Sequence, residues 1–285
     1  MPAGAGRGGP DAGPPPLRAD VTAPGAGEAE VPGRQRDRRR GVHQRHPPGG
    51  GRGAAASRRR LTAVDRRVRW PECVNARDLG GLPAAGGFTR SGWLFRSDTL
   101  ARPSAAGVGA VQAAGVTTVI DLRDGPLRRR DPLPFGDAGP RVAALPLLPA
   151  DFPLPVALDG GYERALDAAL GQVAPIVREI VDAPDGVIFH CHSGTGRTGT
   201  VAALLLALAS VPGELIGADY LLSLENEAAP WRDVEAARGV VPGLLAHLDT
   251  AYGGAEGYLL RAGVNAATLE RLRERLRERL VTAAR

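Results

Sequence analysis

The sequence predicts an α/β fold: a central, mostly parallel sheet flanked by helices, with further helices at the C-terminal end. Three observations predict it. Short β-branched or apolar runs alternate with segments of helical period, and turn residues bound each run. One such run, ending at His190, passes directly into a glycine-containing loop and then an apolar helix.

The elements follow in chain order. Trp93-Leu94-Phe95-Arg96 reads as a short strand after the turn signal Arg90-Ser91-Gly92. Val116-Thr117-Thr118-Val119-Ile120 is a buried-strand run that reaches Asp121. Arg141 to Leu148 reads as another strand, and Gly186-Val187-Ile188-Phe189-His190 as a further one. Leu166, Leu170, Val173, Ile176, Val177 and Ile180 recur at three and four residues, the period of one helix face. A helix is expected after Arg197. Its stretch Val201 to Val211 is the longest apolar run and is too short to span a bilayer. Thr268 to about Leu280 places Leu269, Leu272, Leu276 and Leu280 on one face, with Arg and Glu on the other.

Charge and composition divide the 285-residue chain unevenly. Residues 1–60 are rich in Gly, Pro, Ala and Arg, with twelve Arg against five acidic residues, so this segment carries about +7 and the remainder about −2, for a formal net charge of +5. It has no hydrophobic period and is expected to be a disordered tail, with the folded domain at 61–285. The basic balance therefore belongs to the tail, and a nucleic-acid partner is not expected. All 36 basic residues are Arg, so no lysine can serve in a site. Cys73 and Cys191 are the only cysteines, which suits a reduced, cytoplasmic setting better than a disulfide framework. The first thirty residues lack an apolar h-region, so no secretory signal is read. Five His and two Cys show no zinc-ligand spacing, and neither metal nor cofactor is expected.

Chemistry concentrates in His190-Cys191-His192-Ser193-Gly194-Thr195-Gly196-Arg197-Thr198-Gly199. Five residues between Cys191 and Arg197 let the backbone curl so that successive N–H groups point inward, and the following helix N-terminus adds its dipole. His192, Ser193, Gly194, Thr195, Gly196 and Arg197 would then line an anion nest. The same positive field favours the Cys191 thiolate, a nucleophile. Arg197 can hold two phosphate oxygens in a bidentate fork. The Thr198 hydroxyl can donate to the sulfur, and His190 supports the loop from the strand side. Cys with Arg six residues later is weak evidence in so arginine-rich a chain. The full string between a strand and an apolar helix is much stronger. A phosphate monoester also needs a proton for its leaving oxygen. Asp151, in a proline-flanked loop after a strand, is preferred over Asp121 and Asp124. The competing role for Asp121 is an ion pair with Arg77 or Arg96.

With these residues in view, the chain resembles the bacterial tyrosine/serine protein phosphatases, cysteine-dependent enzymes related to dual-specificity and phosphoinositide phosphatases. Asn75-Ala76-Arg77-Asp78-Leu79-Gly80-Gly81, Leu94-Phe95-Arg96-Ser97-Asp98-Thr99-Leu100, Val119-Ile120-Asp121-Leu122-Arg123, Asp219-Tyr220-Leu221-Leu222-Ser223 and Gly257-Tyr258-Leu259-Leu260 match the family's separated elements. The resemblance spans about Val64 to Leu280. It implies Cys191 as nucleophile, Arg197 as phosphate binder and Asp151 as acid, with Arg77 and Asp78 bracing the site or forming a structural turn. Where the family's loop commonly carries Ala, Lys and Asp, this chain has Ser193, Thr195 and Gly196. The missing lysine favours phosphotyrosine in a phosphorylated protein over a phosphoinositide as substrate. A catalytically weak phosphate-binding pseudophosphatase is the non-enzymatic alternative. Arsenate reduction is disfavoured, because only Cys73 is available to resolve an intermediate.

Overall fold

The computed structural model describes residues 66–152, 161–225 and 234–277. The tail expected over 1–60 and Leu280 lie outside these residues. The main sheet contains β1 (Arg77–Asp78), β4 (Leu94–Ser97), β5 (Val116–Asp121), β6 (Arg141–Ala144) and β7 (Gly186–His190) in the order β1-β4-β7-β5-β6. A separate hairpin pairs β2 (Pro83–Ala84) with β3 (Gly87–Phe88). Only β1 runs antiparallel to its neighbour in the main sheet; the other pairs are parallel.

Side-chain alternation explains how β5 and β7 serve two layers. Val187 and Phe189 enter one hydrophobic cluster with Ile120, whereas Ile188 enters a second with Val119, Phe95 and Val111. Because both faces are covered, β7 is apolar from Val187 to Phe189 and buried throughout. Nine helices are described: α1 (Ala105–Ala113), α2 (Gly125–Arg130), α3 (Tyr162–Ala168), α4 (Leu170–Asp182), α5 (Gly196–Leu208), α6 (Gly213–Leu222), α7 (Val234–Tyr252), α8 (Ala255–Arg261) and α9 (Ala266–Leu276). Ten of the thirteen residues of α5 are buried, which accounts for its apolar composition on every side. It packs on α3, α6, α8, β4 and β7. Among the described residues, no helix is long and apolar enough to cross a membrane.

Two expected elements differ in extent. The strand expected to reach Leu148 stops at Ala144. Leu145 N–H still bonds to Asp121 O (3.0 Å), but the next donor on that side, Leu147 N–H, meets Leu122 O at 3.4 Å, so the regular spacing of the ladder ends. The helical period from Leu166 to Ile180 is shared by α3 and α4. They meet at Ala169, where the Ala169 N–H to Leu166 O and Gln172 N–H to Ala169 O bonds tighten the backbone into a 3₁₀-type turn.

Register places Ser97 and Asp121 on either side of His190, and Ala144 beside Asp121. The carboxyl ends of the parallel strands therefore share one edge, the usual place for a site in such a sheet. Since Leu205 is 1% exposed inside α5, Leu205→Ala should cost about 2–5 kcal/mol in a denaturant titration. A loss under about 0.5 kcal/mol, the usual surface value, would contradict the packing described.

Candidate active site

Residues 191–197 leave the end of β7 and turn into α5. Three successive carbonyls of this loop are held from outside. Thr99 N–H donates to His192 O (2.9 Å), Asn75 Nδ2 to Ser193 O (3.0 Å) and Arg96 Nη2 to Gly194 O (2.6 Å). With carbonyls turned outward, peptide N–H groups are released toward the sulfur of Cys191, which draws stabilisation from those of Gly194 and Thr198. Gly194 makes the turn feasible. Its φ is +72°, and a Cβ there would lie 2.7 Å from both Asp98 N and Ser97 O.

Cys191 is 2% exposed. Burial alone would raise its thiol pKa, but Arg197, the Thr198 hydroxyl and the two N–H groups outweigh it, and the pKa falls below the ordinary value. The buried Thr198 hydroxyl has no nitrogen or oxygen partner, consistent with this service to the sulfur. Arg197 Nη1 lies 3.9 Å from Asp124 Oδ2, while Asp124 Oδ1 caps α2 through Leu127 N–H (2.9 Å). His190 is wholly buried, with Nδ1 3.0 Å from Cys191 O, and burial pushes its pKa down to about 4. It is a neutral ring that donates to the carbonyl before the loop. His192 is exposed; partial burial and then Arg130, Arg102 and Arg197 depress its pKa, so at neutral pH it brings little charge. Ser193 Oγ accepts weakly from Thr195 N–H (3.4 Å), and Thr195 O receives the Gly199 N–H, which starts α5 at Gly196.

Asp121 takes neither of its expected pairings. Arg123 Nε and Nη2 grip it at 2.9 and 2.7 Å, and Arg123 N–H donates to it at 3.0 Å. Burial opposes ionisation, yet the hydrogen bonds and charge of Arg123 hold its pKa below the ordinary range. A carboxylate so held has no proton to give near neutral pH. Arg77 and Arg96 instead share Asp219. Arg77 Nε bonds to Oδ1 at 3.0 Å and Arg96 Nη1 to Oδ2 at 2.7 Å, while Arg66 Nη2 adds a further bond to Oδ1 at 2.6 Å. Arg77 reaches the loop indirectly, through the side chain of Asn75. Asp78 serves the turn, accepting from Gly80 N–H (2.8 Å) and Gly92 N–H (2.6 Å). Asp151 is exposed in the turn after β6, where Phe152 N–H bonds to Pro149 O (3.1 Å) and the Phe152 ring packs on the core.

Residues 68–278 match the model of a family described as the tyrosine phosphatase family. The chain belongs to the tyrosine phosphatase family. Among relatives of this family member, a Cupriavidus necator protein named as a tyrosine-protein phosphatase is 36% identical over 169 residues, covering 54% of this chain and 62% of that protein. The chain thus spans less than two thirds of that relative's length. A tyrosine-protein phosphatase of Nostoc commune is 31% identical, covering 64% of this chain and 74% of its own. The triple specificity protein phosphatase PtpB of Mycobacterium tuberculosis is 27% identical, over 71% of this chain and 96% of its own.

The sequence reading missed Asn75 and Asp219 as direct and indirect holders of the loop. Both stand inside quoted motifs, but nothing local reveals that a carboxylate 142 residues beyond Arg77 lies against it.

Gly194→Ala should lose about 1–3 kcal/mol of phosphate affinity through backbone strain, read as a ten- to hundredfold rise in the inhibition constant of inorganic phosphate. An unchanged constant would show that the loop does not need this conformation. The two thiols should also differ in reactivity. Burial and Asp98 push Cys73 up to about 12, whereas Cys191 is lowered. Iodoacetamide at neutral pH, followed by peptide mass spectrometry, should label Cys191 first. Faster labelling of Cys73 would reverse the assignment.

Proposed function

We propose that this chain hydrolyses phosphate monoesters on protein tyrosine, with dual specificity within reach of the same chemistry, through a phosphocysteine at Cys191. What carries the reading is the combination at one strand end of a buried thiol lowered in pKa, an arginine whose charge acts on it, and a loop with three successive carbonyls held from outside. The names of the relatives support the same substrate class.

In this mechanism the phosphate occupies the nest formed by His192, Ser193, Gly194, Thr195 and Gly196. Arg197 grips two of its oxygens. The Cys191 thiolate attacks phosphorus as the bond to the tyrosine oxygen breaks, and Asp151 gives that oxygen its proton. Water, deprotonated by the resulting Asp151 carboxylate, then attacks the phosphocysteine. Phosphate departs with the new oxygen, and the sulfur leaves as a thiolate stabilised by Thr198. Asp151 is taken as the acid because it is exposed, follows β6 in the chain and, among the described residues, makes no ion pair such as the one that binds Asp121. Asp124 is engaged in capping α2 beside Arg197. We assign the catalytic domain to 61–285, and a reduced cytoplasmic setting suits a chemistry that needs Cys191 as a free thiol.

A phosphoinositide substrate is a second reading, favoured by Arg102 and Arg130 in the electrostatic surroundings of His192. Turnover of a phosphotyrosine peptide and a phosphoinositide panel separates the two: the peptide should lead. Cys191→Ser should abolish turnover of an aryl phosphate while leaving phosphate binding largely intact, and near-normal turnover would sink the mechanism. Asp151→Asn should lower kcat by about 10²–10⁴-fold on a phosphotyrosine peptide. Equal rates for Asp151→Asn and wild type would remove Asp151 from the acid role. Absent wild-type turnover with retained phosphate binding would instead mark a pseudophosphatase.

A further inference from the structure

Beneath the loop lies a buried charge cluster that the proposed reaction does not consume. Arg66, Arg77, Arg96 and Asp219 have side chains only 8%, 2%, 1% and 2% exposed. Three guanidiniums therefore meet one carboxylate, an excess of two positive charges away from water. Ser223 Oγ accepts from Arg77 Nη2 (2.8 Å) and Arg96 Nη2 (3.3 Å), and Asp219 O accepts from Arg77 Nη2 (2.8 Å). Isolated buried charges are costly, so each cation here has a fixed set of acceptors.

Arg96 links this cluster to the loop. One terminal nitrogen donates to Asp219 Oδ2 and the other to Gly194 O. A planar guanidinium gripped at one nitrogen has little freedom at the other, so its direction toward Gly194 O is set by Asp219. Gly194 is also the residue whose positive φ turns the peptide chain, and whose N–H serves the Cys191 sulfur.

We propose that Asp219 is a positioning residue for the phosphate loop, acting through Arg96 on the Gly194 peptide so that the loop is ready for an anion before substrate arrives. The inference rests on the reading of residues 191–197 as a phosphate site. It adds a residue on α6, remote in sequence, whose carboxylate never meets the substrate. The excess positive charge that Asp219 organises favours an anion nearby, and the Cys191 thiolate already acts on Arg96.

The sign of one observable separates positioning from a simple charge effect. Asp219→Asn removes a negative group near the Cys191 thiolate. If the loop keeps its shape, this stabilises the thiolate and moves the midpoint of the pH profile for Cys191 alkylation downward. If Asp219 positions the loop, Arg96 is released, the N–H support is lost and the midpoint moves upward. The positioning account expects that upward shift together with at least a tenfold rise in the inhibition constant of inorganic phosphate. Ser223→Ala leaves every ion pair to Asp219 in place and tests the same network more gently. It should move both readouts in the same directions, with about a threefold weaker phosphate affinity, and it covers the case in which Asp219→Asn does not fold. Tyr258→Phe, which loses a buried hydrogen bond to Leu166 O, provides a comparison in which thermal stability falls while both readouts stay at wild-type values. An unchanged or downward midpoint with wild-type phosphate affinity in the folded Asp219→Asn variant overturns the proposal, as does wild-type behaviour of Ser223→Ala where Asp219→Asn is unfolded. Neither readout requires turnover. Failure of the phosphatase reading would appear separately, as inactive wild-type protein or an active Cys191→Ser variant.

Discussion

The carboxylate of Asp219 sits against two arginines that the sheet itself forces together. Arg77 on β1 and Arg96 on β4 are direct cross-strand partners. Like charges opposite one another destabilise an antiparallel pair, and burial in this sheet magnifies the repulsion. Burial and then Arg77 push Arg96 down to about 9, while Asp219 acts to raise it, so Arg96 remains a cation at neutral pH. One residue from α6 thus reconciles the strand pair, anchors α6 to the sheet and aims Arg96 at Gly194. The edge of the sheet, the C-terminal helices and the phosphate loop meet at this ion cluster.

Chemistry at the loop follows from a similar opposition. A thiol enclosed in a protein resists ionisation, as Cys73 does, and burial acts on Cys191 in the same direction. The difference lies in the neighbours. Cys73 faces Asp98 and Glu72, whereas Cys191 faces Arg197, Thr198 and two inward N–H groups. Excluding water strengthens those interactions, so enclosure and activation of Cys191 are compatible. His190 contributes by staying neutral. A protonated ring there would compete with Arg123 for Asp121.

Much of this arrangement was legible in residue order, because it depends on local patterns. The apolar runs at 116–120 and 186–190 became β5 and β7 with little change, since strands buried on both faces leave a strong compositional trace. The Cys191–Arg197 spacing, Gly194 and the following apolar helix revealed the loop for the same reason. Ends of elements were less readable: β6 lost its regular pairing with β5 after Leu145, and a tight turn at Ala169 separated α3 from α4 within one continuous hydrophobic period. Partners far apart in sequence were not readable at all. Asp121 was expected against Arg77 or Arg96, yet Arg123, two residues away, folds back onto it, and Asp219 takes the other two. Nothing in spacing distinguishes which of many arginines a buried carboxylate will meet.

The central claim is that Cys191 becomes covalently phosphorylated during turnover. Rapid acid quench of the full chain mixed with a phosphotyrosine peptide, followed by mass spectrometry of the digested protein, tests it directly. The account predicts a phosphoryl adduct on the peptide containing Cys191, enriched in Asp151→Asn if hydrolysis of the intermediate is slowed more than its formation, and absent in Cys191→Ser. Steady turnover by wild type and by Cys191→Ser alike, with no adduct on Cys191 at any quench time, would contradict it.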